Sequence, residues 1–167
     1  MGCGDGLVSD KYCRLPARFT FTPVNSIQQL YTACNSMGEW CAITLNNNQL
    51  YFTTPSGTGQ ANLTASSSYQ SPIMGLSGFI VGLPNIPEAG TDYPVVTCYE
   101  LACRNCYEEQ SITPRLQLQT SGYAHCTRCQ RTYNLNNTGI VSQGTAGKAL
   151  YRYRVYYSEN TLAVNNN

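Results

Sequence analysis

An all-β fold, read as a sandwich of short strands, is what this sequence predicts, and three features carry the prediction. Strand-like runs recur at short intervals, separated by Asn- and Gly-containing turns such as Asn46-Asn47-Asn48, Ser121-Gly122 and Asn136-Asn137-Thr138-Gly139. Only one segment shows a helical apolar period. The surface palette is also that of a β-protein: charged residues make up 11% of the chain, against about 25% in ordinary domains, and 13 tyrosines accompany many Asn, Thr, Ser and Gln.

Taken in order, residues 1–15 are small and polar without periodicity and read as a tether to a single domain spanning 16–167. Arg18-Phe19-Thr20-Phe21-Thr22 alternates as a strand and Pro23 ends it. Ser26-Ile27-Gln28-Gln29 has capping-box form. Ile27, Leu30, Tyr31 and Cys34 then share one helical face, and Gly38 is the expected stop. This is the one short N-terminal helix. Residues 40–45 and 49–54 form a hairpin about the Asn triplet, and 55–71 read as a long polar loop. Gly57-Thr58-Gly59 lacks the strand-before, helix-after setting of a phosphate loop. Strands are expected at 79–83, 93–100, 116–119, 123–125, 133–135, 140–142, 150–157 and 161–164.

A net charge of +1 leaves no electrostatic basis for binding nucleic acid or an anionic membrane. One histidine cannot build a nucleophile–base–acid set, so no catalytic residue is expected and an enzyme is the least favoured reading. Nine cysteines are many for 167 residues. Cys103-x-x-Cys106 and Cys126-x-x-Cys129 form two tight pairs; Cys13, Cys34, Cys41 and Cys98 are scattered; Cys3 stands near the start. Each tight pair follows a strand, and its spacing lets one turn aim two thiolates at one point. Two such turns face to face make a tetrahedral sulfur cage for Zn²⁺ or a single iron. Arg104 and Arg128 would place positive charge beside it. The alternative is disulfide pairing, as in exported domains. His125 alternates away from Cys126 and is read as an exposed or supporting residue. Cys34 and Cys41 are close enough in sequence for a local disulfide, and Cys98 reads as a buried strand thiol. Glu108-Glu109 reads as a solvated turn, and Trp40 with the tyrosines as core.

Residues 126–135 (Cys-Thr-Arg-Cys-Gln-Arg-Thr-Tyr-Asn-Leu), then Gly139-Ile140-Val141 and Gly144-Thr145-Ala146, resemble the second half of a Rieske iron–sulfur domain. Residues 148–155 resemble that family's following strand, and 78–81 with 95–103 its approach to the first ligand loop. The resemblance covers roughly residues 75–165 and implies a Rieske-like β-sandwich with a metal-binding subdomain at about 98–145. The chain departs from the family at both histidine ligands: Cys129 stands at the second, and Cys103-x-x-Cys106 replaces C-x-H. Four thiolates restore a rubredoxin or zinc-ribbon ligand set, with Zn²⁺ expected first, mononuclear iron second and a four-Cys [2Fe–2S] cluster third.

The Gly2-Cys3 step is similar to the end of a bacterial lipobox, which implies lipidation of Cys3 and an exported protein anchored to the bacterial membrane by acyl chains alone. The expected function is a non-enzymatic structural or binding module with a four-Cys metal site. A small electron carrier with an unidentified redox partner is the first alternative, and a metal-free, disulfide-stapled exported domain the second.

Overall fold

In the computed structural model, residues 11–63 and 71–166 are described. Cys3, most of the expected tether and part of the expected 55–71 loop lie outside them. Local turn chemistry sets the hairpins. Asn47 and Asn48 both take positive φ (52° and 61°), the left-handed pair that a two-residue turn between twisted strands requires, and Asn tolerates it better than most residues. They join β2 (Trp40–Asn46) to β3 (Gln49–Thr54) in register from Ala42↔Thr53 to Asn46↔Gln49. Glu159 and Asn160 (φ 50° and 64°) do the same between β13 (Val155–Ser158) and β14 (Thr161–Asn165).

Three antiparallel sheets result. The largest adds β4 (Gly57–Asn62), β6 (Phe79–Gly82), β7 (Thr97–Glu100) and β12 (Arg152–Tyr153), in the order β12-β7-β6-β2-β3-β4. A second runs β13-β14-β1-β5, with β1 at Ala17–Phe21 and β5 at Ile73–Met74. The third contains β8 (Gln117–Gln119), β9 (Tyr123–His125), β10 (Thr132–Asn134) and β11 (Ile140–Gln143) in the order β11-β10-β9-β8. Since β7 pairs directly with β12, this third sheet is a sequence insertion between two neighbours of the largest sheet.

Two helices accompany the strands, where one was expected. α1 (Gln28–Asn35) buries Leu30, Ala33 and Cys34 against the largest sheet, while Tyr31 faces outward. Its cap differs from the expected box: Ile27 is the N-cap, and the Ser26 hydroxyl donates to the Pro23 carbonyl within a short 3₁₀ turn. α2 (Arg104–Gln110) begins right after Cys103 and had been read as a turn. β4 also corrects the sequence reading, because Gly57–Asn62 pairs along the whole of β3.

The apolar side chains divide into two cores. The first lies between the six-stranded sheet, the β13-β14-β1-β5 sheet and α1, and centres on Phe19, Leu30, Ile43, Phe52, Phe79 and Leu162. The second lies between the largest sheet and the inserted sheet, and includes Ile80, Tyr99, Leu101, Ala124, Tyr133, Leu135 and three of the paired cysteines. Glu100 ties the bend before β6 to the approach to the first cysteine pair. Its buried carboxylate accepts from the backbone N–H groups of Leu76 (2.7 Å), Ser77 (2.9 Å) and Ala102 (2.8 Å) and from the Tyr153 hydroxyl (2.5 Å). Gly75 is required there: its φ is +63°, and a Cβ would collide with the Tyr153 hydroxyl and the Glu100 carboxylate.

Candidate metal centre

β7 and the bend after it deliver Cys103, which becomes the N-cap of α2 and leaves its side chain at the head of the helix. Cys106 follows in the first turn, so the helical twist brings both sulfurs to one side. The second pair forms without a helix. Cys126 leaves β9 into a tight turn in which the Gln130 N–H donates to the Cys126 carbonyl (2.8 Å). The Cys126 N–H donates to the Arg131 carbonyl (2.9 Å), and the chain reverses through Gln130 at φ +66°.

The two turns meet. Cys103 Sγ lies 3.7 Å from Cys129 Sγ, Cys106 Sγ lies 3.8 Å from Cys126 Sγ, and all four sulfurs lie within 4.8 Å of one another. A disulfide would bring two of them to about 2.05 Å. Four sulfurs bonded at about 2.3 Å to one tetrahedral ion stand about 3.8 Å apart. The cluster can therefore hold a metal ion, and its spacing is that of ligands to a common centre. Cys103, Cys106 and Cys126 are buried and Cys129 is half-buried.

Burial, with the neighbouring thiols adding to it, pushes Cys106 and Cys126 up, because clustered thiolates cannot all ionise in an apolar setting without a cation. Cys129 goes the other way. Burial opposes its ionisation, but the backbone N–H and guanidinium of Arg131 outweigh burial and hold the thiol below its ordinary value.

The surrounding residues orient this cage, and sequence reasoning missed most of them. The Tyr133 hydroxyl lies 3.0 Å from Cys103 Sγ, placed to donate to a thiolate. Asn105 Nδ2 donates to that hydroxyl (2.9 Å) and to the Lys148 carbonyl (2.9 Å), while Asn105 Oδ1 accepts from the Lys148 N–H (2.9 Å). Gly147 leaves room for this amide, since a Cβ would lie 2.6 Å from Asn105 Oδ1. Buried Arg131 donates to the carbonyls of Thr145 (2.9 Å) and Ala146 (3.4 Å) and pairs with Glu109 (3.1 Å). Residues 144–148 are thus laced over the cage by Asn105 and Arg131. The only sequence signal for this was Gly144-Thr145-Ala146 and the aromatic residue after the second pair.

The remaining candidates fall elsewhere. Arg128 is exposed, and Arg104 points away to Glu108 (2.7 Å) and over the Tyr151 ring (4.4 Å); Arg131 is the cation beside the sulfurs. Glu108 sits on α2, bonded to Arg104, Lys148 (2.8 Å) and Tyr151 (2.6 Å), in place of the expected solvated turn. His125 Nδ1 bonds Thr132 Oγ1 (2.9 Å) across the β9–β10 ladder, outside the cage. Cys34 and Cys41, the possible disulfide pair, are both free thiols buried in the first core, and burial pushes Cys34 up to about 12. Every cysteine among the described residues is free. Cys98 is a buried strand thiol. No helix among the described residues is long and apolar enough to cross a membrane. No protein-family model, curated protein or solved structure matches this chain.

Proposed function

We propose that this chain is an exported, lipid-anchored binding module of Rieske-like architecture whose four cysteines hold one zinc ion as a structural clamp. The spacing of the sulfurs carries the reading: 3.7 and 3.8 Å separations are the edges expected of a single tetrahedral tetrathiolate site. Burial of three of the four ligands favours a closed, structural ion over a catalytic one with an open position. The ion would join α2 to the β9–β10 turn, and so close the second core. Insertion of the sheet between β7 and β12 supports the Rieske-like architecture, and Cys3 supports the lipid anchor.

A second reading, a one-iron electron carrier in the same cage, is favoured by one specific observation. Hydrogen-bond donors converge on the sulfurs, from Tyr133 to Cys103 and from Arg131 to Cys129, and such donors stabilise the more negative, reduced state of an iron–thiolate centre. The mutual 4.8 Å span favours one ion over a two-iron cluster, which would divide the sulfurs between separated irons.

Elemental analysis with a visible spectrum, on protein purified without oxygen, separates the readings. Colourless protein with one equivalent of zinc supports the clamp. Red protein with one equivalent of iron supports the carrier. Protein with neither, and with oxidised sulfurs, removes both.

A further inference from the structure

Away from the cysteines, a cavity of about 510 Å³ opens where the two cores meet. One wall is α1 (Gln28, Gln29, Thr32), another the β3–β4 turn (Thr54, Pro55, Ser56), and the third the tip of the β8–β9 hairpin (Leu118 to Gly122), with Gly38, Glu39 and Trp40 between them. Binding sites are commonly found at such junctions, and this volume lies in the range of small-molecule pockets.

The chemistry of the lining narrows the ligand. No Lys or Arg contributes, so an anion has no counter-charge; a lone carboxylate, Glu39, is too little for a multivalent cation. Neutral donors and acceptors dominate. The side chains of Gln29, Glu39, Gln119, Thr120 and Ser121 make no hydrogen bond or ion pair with any other described residue, although other exposed polar residues nearby, such as Gln28 with Thr32 (3.0 Å), are paired. Gly59 on β4 leaves room beneath Gln29, and a Cβ there would lie 2.6 Å from Gln29 Oε1 and 3.1 Å from Ile27. Pro55 and Leu118 supply apolar surface among these groups, with the buried Ala33 and Trp40 also in the lining.

We propose that this cavity binds an uncharged carbohydrate. Amide and carboxylate side chains can each bridge neighbouring hydroxyls, Ser and Thr hydroxyls can serve as donor or acceptor, and the apolar wall suits the C–H face of a sugar ring. The site does not depend on the four-cysteine reading, because none of its residues belongs to the four-cysteine cluster or hydrogen-bonds to it.

Trp40 is the only tryptophan in the chain, so it reports on the site directly. The full chain is titrated with three neutral disaccharides, maltose, cellobiose and N,N′-diacetylchitobiose, following Trp40 emission and the amide and indole NMR signals. The expected result is a saturable response from at least one of them, centred on Trp40, α1 and residues 118–122, and weakened about tenfold or more when Gln29 and Thr120 are both replaced by Ala. Both positions lie on the surface, and an unchanged amide spectrum elsewhere verifies that the double variant is folded. No saturable response from any of the three sugars at tens of millimolar, or a response that the double variant retains in full, overturns the proposal.

Discussion

The first core is dominated by hydrocarbon side chains, with Phe19, Phe52, Phe79, Ile43 and Leu162 packed between a four-stranded and the six-stranded sheet and the thiols of Cys34, Cys41 and Cys98 among them. In the second core the sulfurs of Cys103, Cys106 and Cys126 are gathered at one point beside the apolar side chains. Its inserted sheet has three strands of three residues each, of which β8 is the exposed one. Strands so short cannot stand alone. The difference teaches that, with the proposed ion bound, the chain would divide its stability between two devices: area removed from water in one half, and ligand bonds to the ion in the other.

The largest expected effect comes from emptying the proposed metal site. Structural tetrathiolate sites contribute on the order of 10 kcal/mol. Chelation, or Cys126→Ala, should therefore abolish hydrogen-exchange protection across β8–β11 while amides of Ile43 and Phe79 stay protected. Uniform loss across both halves would break the comparison. Next in size is a break in the other half. Phe79→Ala removes a fully buried ring and should cost about 3–5 kcal/mol in urea unfolding, with metal content per chain unchanged.

Smaller effects sharpen the boundary between the halves. Tyr133→Phe keeps the packed ring and removes the hydroxyl beside Cys103, so metal affinity should fall about 10–100-fold in a chelator competition with little change in the first core. Glu100→Gln places an amide N–H₂ where a carboxylate oxygen now accepts from Ser77 and Ala102. It should cost about 1–3 kcal/mol, and it should affect both halves because Glu100 links them.

The smallest effect is electrostatic. Glu88 pairs with Arg152 and, at 3.1 Å, with Lys11. Partial burial opposes its ionisation, but these two cations prevail and hold its carboxyl below the ordinary 4.5. A depressed carboxyl gives the folded state its full benefit above the unfolded value and loses it as pH falls below about 4.5 toward the folded value. The stability difference between wild type and Glu88→Gln should thus be constant near neutrality and shrink in acid. A difference that grows in acid would contradict the pairing.

Much of this was legible in the sequence where local chemistry decides the outcome. Asn47-Asn48 and the two Cys-x-x-Cys turns needed only residue type and spacing. β4 was not legible, because Gly57–Asn62 has no apolar alternation and is held by pairing with β3. α2 was missed for a similar reason: seven residues show too little periodicity, and the helix is ordered by Cys103 and by contacts to residues 148–151. The support around the sulfurs was the least legible part. Tyr133, Asn105 and Arg131 look like an ordinary core aromatic and two turn residues until the fold brings residues 103–106, 126–133 and 144–148 together.

The most direct test of the account is X-ray absorption at the metal edge of the purified protein, paired with one metal count per chain. One ion surrounded by four sulfurs at about 2.3 Å is the predicted result. Nitrogen or oxygen ligands in that shell, a second metal at short range, or a folded chain that holds no metal would contradict it.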